Sequence, residues 1–102
     1  MVLLTAEDRY RHRHVRFKGK VLRFAIQYET RLGRQWVPVV RYDTEHGFAH
    51  RDLFDPSGRK AKTPLFVRSY DEALSFADYD VKSNWKIYKE MFLRGRTNER
   101  ER

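Results

Sequence analysis

Arg41-Tyr42-Asp43-Thr44-Glu45-His46-Gly47-Phe48-Ala49-His50-Arg51-Asp52 is the stretch that decides which side chains of this chain meet. It gathers two of the four histidines, two arginines and three acids. Val37-Pro38-Val39-Val40 before it and Leu53-Phe54 after it look like strand, and Glu45-His46-Gly47 looks like a turn, so the segment reads as a β-hairpin with a polar tip. Pairing Asp43 with Phe48 sets Arg41 opposite His50 and Val39 opposite Asp52. A slip of one residue would set Arg41 against Arg51, a like-charge pair that cross-strand energetics disfavour. Arg41, Asp43, His50 and Asp52 are therefore expected on one face.

Working upstream, Leu22, Phe24, Ile26 and Tyr28 alternate with Arg23, Ala25, Gln27 and Glu29, the pattern of a half-buried strand from Val21 to Thr30. Arg31-Leu32-Gly33 suits a three-residue hairpin loop, with glycine supplying a positive φ. That loop pairs Tyr28 with Trp36, Ile26 with Pro38, Phe24 with Val40 and Leu22 with Tyr42, and keeps these large apolar groups on the core side. In this register Arg23 lies beside Arg41 and Arg41 beside His50, a basic row on the opposite face. Pro38 lacks a ladder donor, which predicts a bulge or an interrupted ladder there. Nearer the N-terminus, Thr5 followed by Asp8 suits the cap of a short helix, although Val15-Arg16-Phe17 alternates like strand. After the turn Asp55-Pro56-Ser57-Gly58, residues Lys62 to Val67 offer a further strand.

Downstream, Ser69-Tyr70-Asp71-Glu72 is a capping box. Leu74, Ala77, Val81, Trp85, Tyr88 and Phe92 follow at spacings of three and four, with Met91 alongside, an apolar stripe suited to packing on the Leu22/Phe24/Ile26/Tyr28 face. Gly95 is placed to end the helix. From Tyr70 to Arg94 such a helix spans about 37 Å, long enough to expect a kink near Asp78-Tyr79-Asp80. The sequence thus predicts an α+β fold: an antiparallel sheet of three or four strands with a long C-terminal helix packed on one face. Residues 1–95 form a single α+β domain with a basic N-terminal segment, and 96–102 a polar, disordered tail.

At 102 residues there is room for one modest core. Cysteine is absent, which removes disulfides and thiolate metal sites and makes a cytoplasmic protein the simplest reading. No stretch approaches the roughly 20 apolar residues of a membrane span, so no membrane partner is expected. Charge says more. The chain carries 22 Lys plus Arg against 14 Asp plus Glu, a net +8. Arg9, Arg11, Arg13, Arg16, Lys18 and Lys20 fall in a run without an acid, interleaved with Tyr10, His12, His14 and Phe17. Cations that neutralise phosphates beside rings that stack on bases mark a nucleic-acid binder. With Arg23, Arg41 and Arg51 from the sheet, these residues form the expected nucleic-acid surface. The same charge would also suit an acidic protein partner.

The hairpin tip admits two chemistries. His50 and His46, with Arg41 or Arg51 gripping phosphate, have the side chains needed for acid–base cleavage of an RNA phosphodiester. The alternative is structural: Asp43 bonds backbone amides of the turn, Gly47 supplies its φ, and the histidines are turn and surface residues. Both readings stay open. Asp43, His46, His50 and Asp52 are metal-ligand types, but their spacing matches no metal motif, so neither a metal nor another cofactor is expected. No glycine-rich phosphate loop or nucleophile elbow is present.

The hairpin resembles the RYDN-x-H-G-x-x-H segment of small prokaryotic proteins of the TumE-type toxin group. It carries Thr44 at the asparagine position and continues into Arg51-Asp52. The resemblance picks out Arg41, Tyr42, Asp43, His46, Gly47 and His50, and implies a toxin-like component acting on RNA, paired with an antitoxin. The function expected is nucleic-acid binding, RNA above all, in such a pair. Against it stands a non-catalytic interaction module whose basic face receives an acidic partner.

Overall fold

The computed structural model describes residues 1–95 in full and 96–101 as backbone. The strands are β1(Val2–Thr5), β2(Asp8–Phe17), β3(Lys20–Leu32), β4(Gln35–Asp43), β5(His50–Phe54) and β6(Lys60–Pro64), followed by the helix α1(Tyr70–Glu101). All six strands form one antiparallel meander in sequence order. The fold is α+β, but the sheet has six strands where three or four were expected. The added strands are β1 and β2, with β1 at the edge and β2 inside the sheet beside β3. Thr5 and Asp8, expected as a helix cap, instead close a turn in which the Thr5 hydroxyl donates to Asp8 Oδ2 at 2.6 Å and accepts the Glu7 amide at 3.0 Å. Side-chain bonds of this kind serve turns as readily as caps. The basic run is then free to extend as β2, with Tyr10 turned inward.

Two bulges set the faces. Val15 pairs with Arg23 but Arg16 pairs with Val21, leaving Leu22 as the extra residue. Val21 is therefore buried and Leu22 is 51% exposed, the reverse of strict alternation. In the same way Glu29 pairs with Pro38 and Tyr28 with Val40, so Val39 is the extra residue beside the proline. Beyond it Trp36 turns away from the core, where the Arg9 guanidinium lies 4.3 Å from the ring centroid. The β3–β4 connection is also tighter than expected. Leu32 pairs with Gln35, leaving Gly33 and Arg34 as a two-residue turn with Gly33 at φ 62°. Tyr28 consequently faces Val40 and Ile26 faces Tyr42.

The helix begins as its capping box predicts: the Ser69 hydroxyl accepts the Glu72 amide at 3.1 Å. It runs as one element through Asp78-Tyr79-Asp80 and through Gly95, which has no left-handed φ, so the stop expected at Gly95 does not occur. The disordered tail expected over 96–102 lies outside the fully described residues. Ala73, Leu74, Ala77, Val81, Tyr88 and Phe92 are buried against Tyr10, Val21, Phe24, Ile26, Tyr28, Val40 and Tyr42, while Met91 is exposed. Trp85 is half-buried, its ring centroid 5.6 Å from that of Tyr28. A polar seam stitches the layers together: Tyr42 donates to Asp80 Oδ2 at 2.7 Å, Tyr88 donates to the same oxygen, and Tyr10 donates to Asp78. Among the described residues, no helix is long and apolar enough to cross a membrane.

Candidate functional site

The sheet face away from α1 carries the odd-numbered residues of β2 and β3, Arg9 to Arg13 and Arg23 to Glu29. Cross-strand pairing lines them up in rows. One row runs Arg11, Gln27, Arg41, Asp52, Lys62, and the next Arg13, Ala25, Asp43, His50, Pro64. Asp43 thus faces His50 and Arg41 faces Asp52, two residues out of the expected register. A shift of two preserves faces, so Arg41, Asp43, His50 and Asp52 do share a side. Arg41, however, lies next to Gln27 rather than Arg23, and its Nη1 donates to Gln27 Oε1 at 3.3 Å.

The shift follows from the turn. Asp43 Oδ1 accepts the Glu45 amide at 3.0 Å, Thr44 Oγ1 accepts the Phe24 amide at 3.2 Å, and Glu45–Gly47 coil as a single 3-10 turn. His46 and Gly47 take φ values of 70° and 85°, the left-handed region that glycine enters freely and histidine tolerates. These bonds hold Phe48 and Ala49 out of the ladder, so β5 starts at His50. Asp43 and Gly47 therefore act in the turn as the sequence suggests.

At the centre of the face Asp43, His50 and Asp52 are buried, at 3%, 1% and 1% exposure. The Phe48 ring covers His50 with 5.1 Å between centroids. His50 Nδ1 donates to the Phe48 carbonyl at 3.1 Å, and Nε2 lies 2.9 Å from Asp43 Oδ1 and 3.7 Å from Asp52 Oδ2. Arg41 Nε pairs with the other Asp43 oxygen, and Lys60 Nζ lies 3.6 Å from Asp52 Oδ2. Burial pushes the Asp43 carboxyl up, but the Glu45 amide, Arg41 and His50 more than offset this and hold it below the usual carboxylate range. His46 stays exposed at the tip, and among the described residues no hydrogen bond or ring contact joins it to His50 or Arg41. His50 is thus buried and His46 exposed, with no direct contact between them among the described residues.

The basic residues divide by location. Arg51 projects to the helix side, where Nη1 donates to the Tyr88 hydroxyl at 3.4 Å, so it leaves the expected nucleic-acid surface. Arg16 pairs with Asp71 at 3.1 Å, and Arg9 with Glu29, which Arg11 approaches at 3.8 Å. Lys18 lies in the exposed β2–β3 turn and Lys20 opens β3. Arg13 and Arg23 have no acidic partner among the described residues. They line a cleft of about 400 Å³ with His14, Ala25, Arg41 and Thr44 and with the acids Asp43 and Glu45 at its turn end, and an adjoining cleft of about 380 Å³ shares Arg13, Ala25 and Arg41 and adds Arg11 and Gln27. Sequence reasoning missed Gln27, Trp36, Lys60 and Lys62 on this face. Gln27 is legible from the alternation of β3, whereas Trp36 is hidden by the bulge at Val39.

No curated protein and no solved structure matches the chain. Residues 1–98 match the family described as Domain of unknown function (DUF7718), and the chain belongs to that family.

Proposed function

We propose that the protein binds a nucleic-acid strand across the open face of its sheet, with the backbone phosphates held at the two adjoining clefts. The observation that carries this reading is the pair of guanidinium groups of Arg13 and Arg23, without an acidic partner among the described residues, set around Ala25 and next to Arg41. The small side chain of Ala25 leaves room for a phosphate, and guanidinium groups grip phosphate with paired donors. Trp36, half-exposed beside Arg9 and Arg31, offers a ring on which a base stacks. The hairpin's resemblance to TumE-type toxins favours RNA as the polymer and a toxin-like role beside an antitoxin in the cytoplasm.

The test is a fluorescence titration of the purified chain with single-stranded RNA at several salt concentrations, repeated with Arg13→Ala/Arg23→Ala. Affinity should fall steeply with salt. The double variant should bind more weakly across sequences, and its salt slope should be shallower by about 0.7 for each phosphate that it no longer neutralises. Absence of binding at low salt would remove the reading and leave the acidic protein partner as the use of this charge.

A further inference from the structure

Asp43, His50 and Asp52 each present one ligand atom within 4.8 Å of the others, all three from buried side chains. We infer that these residues form a binding site for a single divalent transition-metal ion of the zinc or manganese class. This inference differs from nucleic-acid binding in its chemistry and in His50 and Asp52, although Asp43 also borders the first cleft.

Three features of the geometry carry it. The first is the histidine. Its Nδ1 is spent on the Phe48 carbonyl, which fixes the ring and leaves Nε2 directed at the two carboxylates. A metal-binding histidine is ordinarily held in this way, with its other ring nitrogen donating to a backbone carbonyl. The second is Asp52. Its Oδ1 is buried with no hydrogen-bond partner among the described residues, on a residue 1% exposed. Buried carboxylate oxygens nearly always have partners. A proton on His50 would serve Asp43 Oδ1 and approach Asp52 Oδ2, yet would leave Oδ1 unanswered, whereas a cation held by the Asp52 carboxylate would answer it. The third is the outer ring of polar groups. Arg41 and the Glu45 amide fix the Asp43 carboxylate, and Lys60 lies near Asp52 Oδ2, so both carboxylates are oriented before any ion arrives.

The donor set also selects the ion. One imidazole nitrogen with two carboxylates suits zinc or manganese better than magnesium or calcium, which favour all-oxygen surroundings. Three protein ligands leave a coordination position for water or a substrate oxygen, the pattern of an open site rather than a closed structural one.

The folded full-length chain, stripped with chelator, should be titrated with Zn²⁺ and with Mn²⁺ alone by calorimetry, with Mg²⁺ for comparison. One ion per chain is expected, accompanied by a rise in melting temperature and by movement of the His50 ring resonances. Asp52→Asn and His50→Gln should each weaken binding by at least the 10–100-fold that follows from removing a group behind the ligands alone. His12→Ala/His14→Ala, which alters the exposed histidines of β2, should leave it unchanged. If the folded wild type takes up no stoichiometric ion, the site is a buried ion pair only and the inference fails, whether or not the variants fold. Binding that moves the resonances of His12 or His14 rather than His50, or that Asp52→Asn leaves intact, would equally overturn it.

Discussion

Replacing Asp8 by asparagine tests how the two layers are joined. Asp8 opens β2 with a side chain almost wholly buried, and its two oxygens accept four donors. Oδ1 takes the Tyr28 hydroxyl at 2.6 Å and the Thr30 hydroxyl at 2.9 Å, and Oδ2 takes the Thr5 hydroxyl at 2.6 Å and Lys89 Nζ at 3.1 Å. One carboxylate thus ties β1, β2, β3 and α1 together. Asparagine keeps the shape but exchanges one acceptor oxygen for a donor. The hydroxyls can turn to accept; the Lys89 ammonium cannot. Hydrogen bonds to a charged partner contribute about 1.5–3 kcal/mol against roughly 1 for neutral ones, and Lys89 keeps partial solvent access, so Asp8→Asn should destabilise by about 2–4 kcal/mol at pH 7. The effect has a pH signature. Burial pushes the Asp8 carboxyl up, but the bonds from Thr5, Tyr28, Thr30 and Lys89 outweigh it and hold the pKa below its ordinary 3.8. A depressed folded-state pKa contributes stability that is fully present above the unfolded value and is lost as pH falls through the folded one. Urea denaturation at pH 7, 4 and 3 should therefore show a gap between wild type and Asp8→Asn that is widest at pH 7 and narrows below about pH 4. A difference under about 0.5 kcal/mol at pH 7, or a gap as wide at pH 3 as at pH 7, would refute the assignment of Asp8 as a charged hub.

Two further substitutions separate packing from backbone geometry. Phe24→Ala should lower stability by about 3–5 kcal/mol in urea, whereas Trp85→Ala, on a half-buried ring, should lose only about 2; the reverse order would mean that α1 packs with a different stripe inward. At Gly33 an added Cβ meets nothing within 4 Å, so Gly33→Ala should lose only the roughly 1–2 kcal/mol of a left-handed φ, read as a lower melting temperature with unchanged strand content. A neutral or stabilising result would show that the turn is not held at positive φ.

Periodic elements are legible in the sequence, and bulged or edge elements are not. The capping box at Ser69 and the stripe from Leu74 to Phe92 place α1 correctly because a helix depends on local bonds and one repeating face. The long central strands also declare themselves, since Phe24, Ile26 and Tyr28 alternate with polar residues. Edge strands carry less pattern: Lys60-Ala61-Lys62-Thr63-Pro64 is exposed along its whole length, so the strand expected over Lys62 to Val67 is found but with its bounds displaced toward the N-terminus. A bulge is worse than silent, because it inverts the alternation beyond it. Strict parity puts Leu22 and Trp36 in the core, and an extra residue in each strand moves them out. Pro38 is the one local sign of such a bulge, and the extra residue is its neighbour Val39.

Parity also explains why the site is half legible. An error of two residues in the β4–β5 register leaves faces intact, so the sequence groups Arg41, Asp43, His50 and Asp52 correctly while mistaking their direct partners. Charge is harder to read, because a count of cations ignores what each one meets. Of the basic residues expected on the binding surface, Arg9 is occupied by Glu29, Arg16 by Asp71, Arg41 by Asp43, and Arg51 by Tyr88 on the far side of the sheet. Arg13, Lys18, Lys20 and Arg23 remain for phosphate, together with Arg11, which Glu29 holds only at 3.8 Å. If a single strand engages all five, log affinity should fall against log salt with a slope of about −3.5, against roughly −6 if every cation named from the sequence took part. A slope near −6 would mean that the carboxylates of Glu29, Asp43 and Asp71 release their arginines on binding, and the paired centre of the face would then belong to the interface rather than beside it.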